Sequence, residues 1–141
     1  MSQFAAAVNC IDGRVQRPIV EYIRRRHGMD YVDMITEAGP DLIVAESTDE
    51  VTCHSIRKRL AVSSQAHGSR LFFIVGHHDC AANPTDRVGH LRQIKLAAAR
   101  IREWISQGLV LGLWVDENWV VHEVPPTEPS MGSQEDGSAI G

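Results

Sequence analysis

Two short segments of the sequence combine residue types that bind metal ions. Cys10, Asp12 and Arg14 follow a small apolar run near the N-terminus, and His77 and Cys80 follow a second apolar run in the middle of the chain. Two thiolates and a neutral imidazole suit zinc, because the two thiolate charges cancel the double charge of the ion. The two segments together therefore predict a Zn²⁺ site, in which the fourth tetrahedral position is left either to the carboxylate or to water.

Three protein ligands with one open position are typical of a catalytic zinc site, whereas a structural site usually has four. An ion pair between Asp12 and Arg14 would keep the carboxylate off the metal and leave room for water. None of the three cysteines stands in a Cys-x-x-Cys pair, which disfavours a thiol redox protein. The remaining cysteine, Cys53, shares one helical face with Ile56 and Leu60, and we predict that it is a core residue.

The predicted elements must bring these two segments together. Apolar patterning and turn residues predict strands at residues 3–9, 31–36, 71–75, 109–115 and 119–124, and helices at 18–27, 48–66 and 85–107. The second helix is expected to begin with a capping box formed by Ser47 and Glu50.

Alternation of strand and helix is typical of an α/β fold. We predict a doubly wound, mainly parallel sheet of about five strands, in the order 2-1-3-4 plus an antiparallel C-terminal edge strand, with helices on both faces. In this order the first and third strands are neighbours, and their carboxyl ends form the crevice in which ligands bind. Cys10 and the turn from His77 to Cys80 are predicted to meet there.

Length and charge limit the remaining possibilities. Residues 1–124 are predicted to form a single domain, and residues 125–141, rich in Pro, Ser, Gly and acidic residues, a C-terminal tail. A net charge of -4 gives no reason to expect nucleic acid or an anionic membrane as a partner. The sequence shows neither a signal peptide nor an apolar run long enough to cross a bilayer, so a cytoplasmic location is expected.

The two segments resemble motifs of the β-class carbonic anhydrases. Residues 10–14, Cys-Ile-Asp-Gly-Arg, resemble the Cys-x-Asp-x-Arg motif of that family, and residues 77–80, His-His-Asp-Cys, resemble its His-x-x-Cys motif. Residues 37–39, Glu-Ala-Gly, stand where the family has an Asn-Ala-Gly turn, and residues 111–124 look like its terminal β-hairpin. The resemblance thus extends along most of the chain.

The resemblance implies a role for each matching residue. Cys10, His77 and Cys80 correspond to the zinc ligands of the family, and Asp12 and Arg14 correspond to its catalytic dyad. In this scheme the aspartate, held by the arginine, accepts a hydrogen bond from the zinc-bound hydroxide and aims its lone pair at the substrate.

The implied activity is reversible hydration of carbon dioxide to bicarbonate through a zinc-bound hydroxide, in a homodimer or higher homo-oligomer. Two alternatives use the same site: hydrolysis of carbonyl sulfide or carbon disulfide, and zinc binding without catalysis. His78, next to a predicted ligand, is either a proton shuttle or a surface histidine.

Overall fold

The computed structural model describes residues 1–126. Its strands are β1 (Phe4–Cys10), β2 (Tyr31–Glu37), β3 (Leu71–His77), β4 (Leu109–Val115) and β5 (Val121–Val124). Its α-helices are α1 (Gln16–His27), α2 (Pro40–Glu46), α3 (Glu50–His67) and α4 (Arg87–Trp104), and one 3-10 turn (Gly13–Val15) precedes α1. Apart from its first two residues, the predicted C-terminal tail at 125–141 lies outside the described residues.

The five strands form one sheet in the order β2-β1-β3-β4-β5. All neighbouring pairs are parallel except β4 and β5, which are antiparallel. The predicted doubly wound fold and its strand order are therefore confirmed. Because β1 and β3 are parallel neighbours, Cys10 and His77, the last residues of these strands, lie at the same edge of the sheet.

Burial alternates along the strands because successive side chains point to opposite faces of a sheet. On β3, Phe72 and Ile74 face the layer that contains α2, α3 and α4, whereas Phe73 and Val75 face α1. The fold thus has three layers, with helices on both faces of the sheet, as predicted.

Two glycines allow α4 to pack closely on the sheet. A β-carbon at Gly76 in β3 would lie 2.9 Å from the Cδ1 atom of Ile94, and a β-carbon at Gly112 in β4 would overlap the Cγ2 atom of the same side chain. Ile94 itself is fully buried. Both strands therefore need a residue without a side chain where this helix crosses them.

The region between β2 and α3 differs from the prediction. Pro40 begins a short helix, α2, which ends at Ser47 in the left-handed conformation with φ 55°. The predicted capping box is wrong, because Asp49 caps α3 and accepts a hydrogen bond from the Thr52 backbone N–H at 3.1 Å. α3 consequently begins at Glu50, two residues later than predicted.

Among the described residues, no helix has the length and apolar character needed to cross a membrane.

Candidate metal centre

The carboxyl ends of β1 and β3 bring together the three predicted ligands. Cys10 ends β1, His77 ends β3, and Cys80 lies in the turn that follows β3. Their candidate ligand atoms all lie within 4.8 Å of one another, and the two sulfur atoms are 3.9 Å apart. All three side chains are at least 95% buried. The three residues therefore form a compact, buried cluster.

The orientation of His77 leaves one ring nitrogen free for a metal. Its Nδ1–H group donates a hydrogen bond to the His78 carbonyl oxygen at 2.7 Å, an assignment that follows from the acceptor. Its Nε2 atom is buried and has no hydrogen-bond partner. A buried polar atom without a partner is costly unless a ligand satisfies it. Two sulfur atoms and one free imidazole nitrogen fit Zn²⁺.

Hydrogen bonds to the sulfur atoms favour thiolate at Cys10. The Cys80 thiol donates to the Cys10 sulfur, which lowers the pKa of Cys10 against the opposing effect of burial, and His77 lowers it further. The backbone groups of Gly39 and Asp12 lower the pKa of Cys10 as well. The same thiol–thiolate contact raises the pKa of Cys80. A negative charge is thus already stabilised where a cation would bind.

His77 responds to that charge. Burial lowers the pKa of its imidazole, but the nearby Cys10 sulfur and the hydrogen bond to the His78 carbonyl oxygen together outweigh burial, so the net pKa is raised. A cation in the site would replace the proton that the imidazole and the thiolate attract.

Asp12 is paired with Arg14 rather than directed at the cluster. The Arg14 Nη2 atom lies 2.7 Å from Asp12 Oδ2, and its Nε atom lies 3.1 Å from Oδ1. The backbone N–H of Arg14 also donates to Oδ1 at 2.9 Å, an aspartate cap on the 3-10 turn. The side-chain hydrogen bond from Arg14 is the main reason that the pKa of Asp12 falls to about 2. Asp12 is therefore ionised at neutral pH, with both oxygens occupied by Arg14.

Arg14 is held by two further residues that the sequence analysis did not single out. Its Nη1 atom lies 3.2 Å from the carboxylate of Asp79, and its Nη2 atom donates to the Asp79 carbonyl oxygen at 3.1 Å. The guanidinium group also stacks on Trp119, with 4.7 Å from Cζ to the ring centroid. Both carboxylates raise the pKa of Arg14, the Asp12 hydrogen bond most.

Asp79 and Trp119 reach Arg14 through unusual backbone conformations. Their φ angles are 59° and 61°, and within the described residues Ser47 is the third non-glycine residue with positive φ. Such conformations are uncommon outside glycine and often lie at functional sites. The sequence contains no clear signal for them, since neither residue follows the glycine-rich pattern of a turn with positive φ.

The remaining candidates lie around the cluster. His78 is exposed, and its backbone N–H donates to the Val115 carbonyl oxygen at 2.9 Å, which anchors the turn to β4. Cys53 is buried in α3, as predicted for a core residue, and its thiol donates to the Ile43 carbonyl oxygen at 3.7 Å. Cys53 is not a member of the metal cluster.

Comparisons with known proteins identify a matching family. The model of the family described as "Putative carbonic anhydrase" matches residues 1–125. No curated protein matches the chain in sequence.

Several solved structures are similar to the fold. One is a β-carbonic anhydrase from the protozoan Trichomonas vaginalis, with a TM-score of 0.57 and 19% identity over 90% of this chain and 85% of that one. Another is from a set of tetrameric β-carbonic anhydrases of the ascomycete Sordaria macrospora, with a TM-score of 0.47 and 15% identity over 87% of this chain and 80% of that one. A third is a β-carbonic anhydrase from Aspergillus fumigatus, with a TM-score of 0.46 and 13% identity over 96% of this chain and 84% of that one. Because the family model covers residues 1–125 of 141, the protein belongs to this carbonic anhydrase family.

Proposed function

We propose that the protein binds Zn²⁺ through Cys10, His77 and Cys80 and catalyses the reversible hydration of carbon dioxide to bicarbonate. The observation that supports this proposal best is the convergence of the three ligand atoms within 4.8 Å, next to a carboxylate paired with arginine. The membership in a carbonic anhydrase family is consistent with it.

The two sulfur atoms and one imidazole nitrogen suit zinc and affect the pKa of water at the metal. Zinc held by these side chains would supply a hydroxide nucleophile from water at neutral pH, by lowering the pKa of water to about 7. Two thiolates donate more charge to the metal than imidazoles do, so we expect the pKa of water at this site to be higher than in an all-histidine site.

Asp12 and Arg14 would orient the reacting oxygen. The carboxylate of Asp12 is two residues from Cys10, with 20% of its side chain exposed, and its pKa of about 2 keeps it a hydrogen-bond acceptor across the neutral range. It would accept a hydrogen bond from the attacking hydroxide and so aim the oxygen lone pair at the carbon atom. Because Arg14 occupies both carboxyl oxygens, the carboxylate would stay beside the metal rather than bind it.

The product proton must leave the site. His78 is exposed and adjacent to His77, and imidazole is the side chain most often used for proton transfer to buffer. We propose that it has this role.

Stopped-flow measurement of carbon dioxide hydration tests the proposal. Zinc-loaded protein is assayed from about pH 6.5 to about pH 9, a range that brackets a water pKa of about 7. We expect saturable turnover that disappears when zinc is removed and returns when zinc is added back.

Two cysteine variants serve as a matched pair. Cys80→Ala should lose both zinc and turnover, whereas Cys53→Ala, which also replaces a buried cysteine but lies outside the cluster, should keep both. Stoichiometric zinc without turnover above the buffer blank would contradict the proposed reaction and would leave a zinc-binding protein.

A further inference from the structure

We propose that the buried carboxyl group of Asp41, held by His90, is a positioning group that links the three segments carrying the candidate metal ligands. The inference deepens the proposed function, on which it rests, because it concerns the geometry of the same cluster. Neither residue belongs to the motifs that suggested the metal site.

Asp41 lies in the first turn of α2 and is 1% exposed. Its Oδ2 atom is 2.6 Å from Nδ1 of His90, a residue of α4 that is also 1% exposed. Its Oδ1 atom accepts hydrogen bonds from the side chain of Asn83 at 3.1 Å and from the Leu42 backbone N–H at 3.0 Å. Burying a carboxyl group is costly, and an apolar pair of similar volume often stabilises a fold more. The pair therefore calls for an explanation other than stability.

The first segment that Asp41 contacts is the one before His77. A β-carbon at Gly76 would lie only 2.5 Å from Asp41 Oδ2, so the carboxyl group packs directly on the backbone of this position. His77 is the next residue, and the direction of its side chain depends on this stretch of β3.

The second segment carries Cys80. The Asn83 side chain donates to Asp41 Oδ1, and its backbone N–H donates to the Cys80 carbonyl oxygen at 3.2 Å. The same side chain also donates to the Oε1 atom of Gln93 at 2.7 Å, so α4 holds Asn83 from a second side. Asn83 is 3% exposed and thus has little freedom to move.

The third segment reaches Cys10. Gly39 lies between Asp41 and Glu37, the β2 residue that pairs with Cys10 in β1, and the Ile11 backbone N–H donates to the Glu37 carbonyl oxygen at 2.9 Å. A β-carbon at Gly39 would lie 3.3 Å from the β-carbon of Asn83, so this turn also packs against the turn that carries Cys80. The carboxyl group of Asp41 therefore joins the segments beside His77 and Cys80, and its own chain segment runs beside Cys10.

His90 fixes the carboxyl group in this position. Its Nδ1 atom faces Asp41, and its ring lies 5.2 Å from the ring of Trp114, centroid to centroid. Because α4 carries both His90 and Gln93, one rigid helix supports both ends of the network. Residues that orient metal ligands from behind in this way typically change metal affinity about 10- to 100-fold when they are replaced.

The test compares two carboxyl groups that each pair with a histidine. Asp41→Ala removes the proposed link. Asp33→Ala is the matched control, because Asp33 is bonded to His67 and Ser63, each at 2.7 Å, and none of these residues contacts the cluster. Zinc affinity is measured by competition with a chromophoric chelator, and ligand geometry by the absorption spectrum of the Co²⁺-substituted protein.

We expect Asp41→Ala to lower the affinity for zinc about 10-fold or more and to change the absorption spectrum of the Co²⁺-substituted protein. Asp33→Ala should leave affinity within about twofold and the spectrum unchanged, even where it lowers the melting temperature. A melting temperature lowered by Asp41→Ala, together with wild-type zinc affinity and spectrum, would show a structural role only and overturn the inference. If Asp41→Ala does not fold, Asn83→Ala decides in the same assay, because it breaks the link to Cys80 and leaves the pair of Asp41 and His90 in place.

A metal-free measurement separates this inference from the proposed function. In the apoprotein, Asp41→Ala should shift the backbone amide NMR signals of Cys10, His77 and Cys80, whereas Asp33→Ala should not. A wild-type chain that binds no zinc would refute the proposed function, and the apoprotein spectra would then decide the inference alone. Signals of the three ligands that do not move in Asp41→Ala would overturn it.

Discussion

At the scale of single residues, the pairing of Asp12 with Arg14 determines what the carboxylate can do. Both carboxyl oxygens accept hydrogen bonds from Arg14, which is in turn held by Asp79 and stacked on Trp119. A carboxylate in such a setting is a fixed acceptor and a poor competitor for the metal. We therefore propose that Asp12, Arg14, Asp79 and Trp119 would leave the fourth coordination position of a bound metal open.

Asp12→Asn tests this interpretation. The substitution keeps the shape of the side chain but removes its charge and replaces one acceptor oxygen by an NH2 donor, so the reacting oxygen would lose its charged acceptor while the three candidate ligands remain. We expect turnover in carbon dioxide hydration to fall about 100-fold or more, a typical loss for a positioned acid–base group. Zinc content, measured by atomic absorption, should stay stoichiometric.

The control for this variant is Asp79→Asn, which removes the other carboxylate on Arg14 and leaves Asp12 in place. Its effect on turnover should be smaller than that of Asp12→Asn. Loss of zinc from Asp12→Asn, with Asp79→Asn still loaded, would instead identify Asp12 as the fourth ligand.

The sequence predicts the metal cluster better than its surroundings. Cys10 and His77 could be placed together because parallel strand order brings their carboxyl ends to one crevice, and this rule needs only the pattern of elements. Asp41 and His90 could not, because polar residues on predicted helices are exposed by default and only packing shows which ones are buried. Trp119 was assigned to a strand, since a left-handed conformation at a bulky residue has no sequence signature.

At the scale of elements, β5 is fastened to α1 by one polar cluster. Glu123 Oε2 accepts a hydrogen bond from the Tyr22 hydroxyl at 2.7 Å and lies 2.9 Å from Nε2 of His27. Burial, followed by the hydrogen bond to Glu123, raises the pKa of Tyr22 to about 12, and the same hydrogen bond is the largest cause of the lowered pKa of Glu123. This cluster lies on the hairpin that also carries Trp119.

Glu123→Gln should reverse part of the rise in the pKa of Tyr22. The pKa of Tyr22 is expected to fall from about 12 towards the ordinary value of 10.0 without reaching it, because burial, the larger cause, remains. Ultraviolet absorbance of tyrosinate measures the titration, in a Tyr31→Phe background so that Tyr22 is the single tyrosine of the chain. An unchanged titration midpoint would contradict the assigned cause.

The sign of the stability effect follows from the raised pKa. In the unfolded chain Tyr22 ionises near pH 10, whereas in the folded protein it stays protonated to about pH 12. Its contribution to the free energy of unfolding should thus be complete below about pH 10 and be lost as the pH rises to about 12. Chemical denaturation across this range should show a smaller loss in Glu123→Gln than in the wild-type protein.

Element boundaries were predicted well where apolar runs end in clear turn residues, and poorly between β2 and α3. The sequence around Gly39 and Pro40 has the composition of a turn, yet proline at the first position of a helix is also favourable, and here a short helix forms. Two candidate caps, Ser47 and Asp49, stand close together. The additional helix, α2, ends at Ser47, and Asp49 caps the beginning of α3.

At the scale of the whole molecule, we predict a homodimer or larger homo-oligomer. The prediction comes from the family resemblance of the two motifs, and light scattering coupled to size-exclusion chromatography tests it. We expect a mass at least twice that of the single chain at micromolar concentration. A monomeric mass with full carbon dioxide hydration would refute a need for a partner subunit in the site.

The sequence separation of the candidate ligands has a consequence for how the protein folds. Cys10 and Cys80 are 70 positions apart, and their sulfur atoms meet only after β3 has paired beside β1. Closing a loop costs entropy that must be met before the contact forms, and non-local pairings of this kind slow folding. A Co²⁺ ion added during refolding should therefore develop its thiolate charge-transfer absorbance in the slowest phase, after helical circular dichroism has recovered, which makes the metal a reporter of the final chain topology.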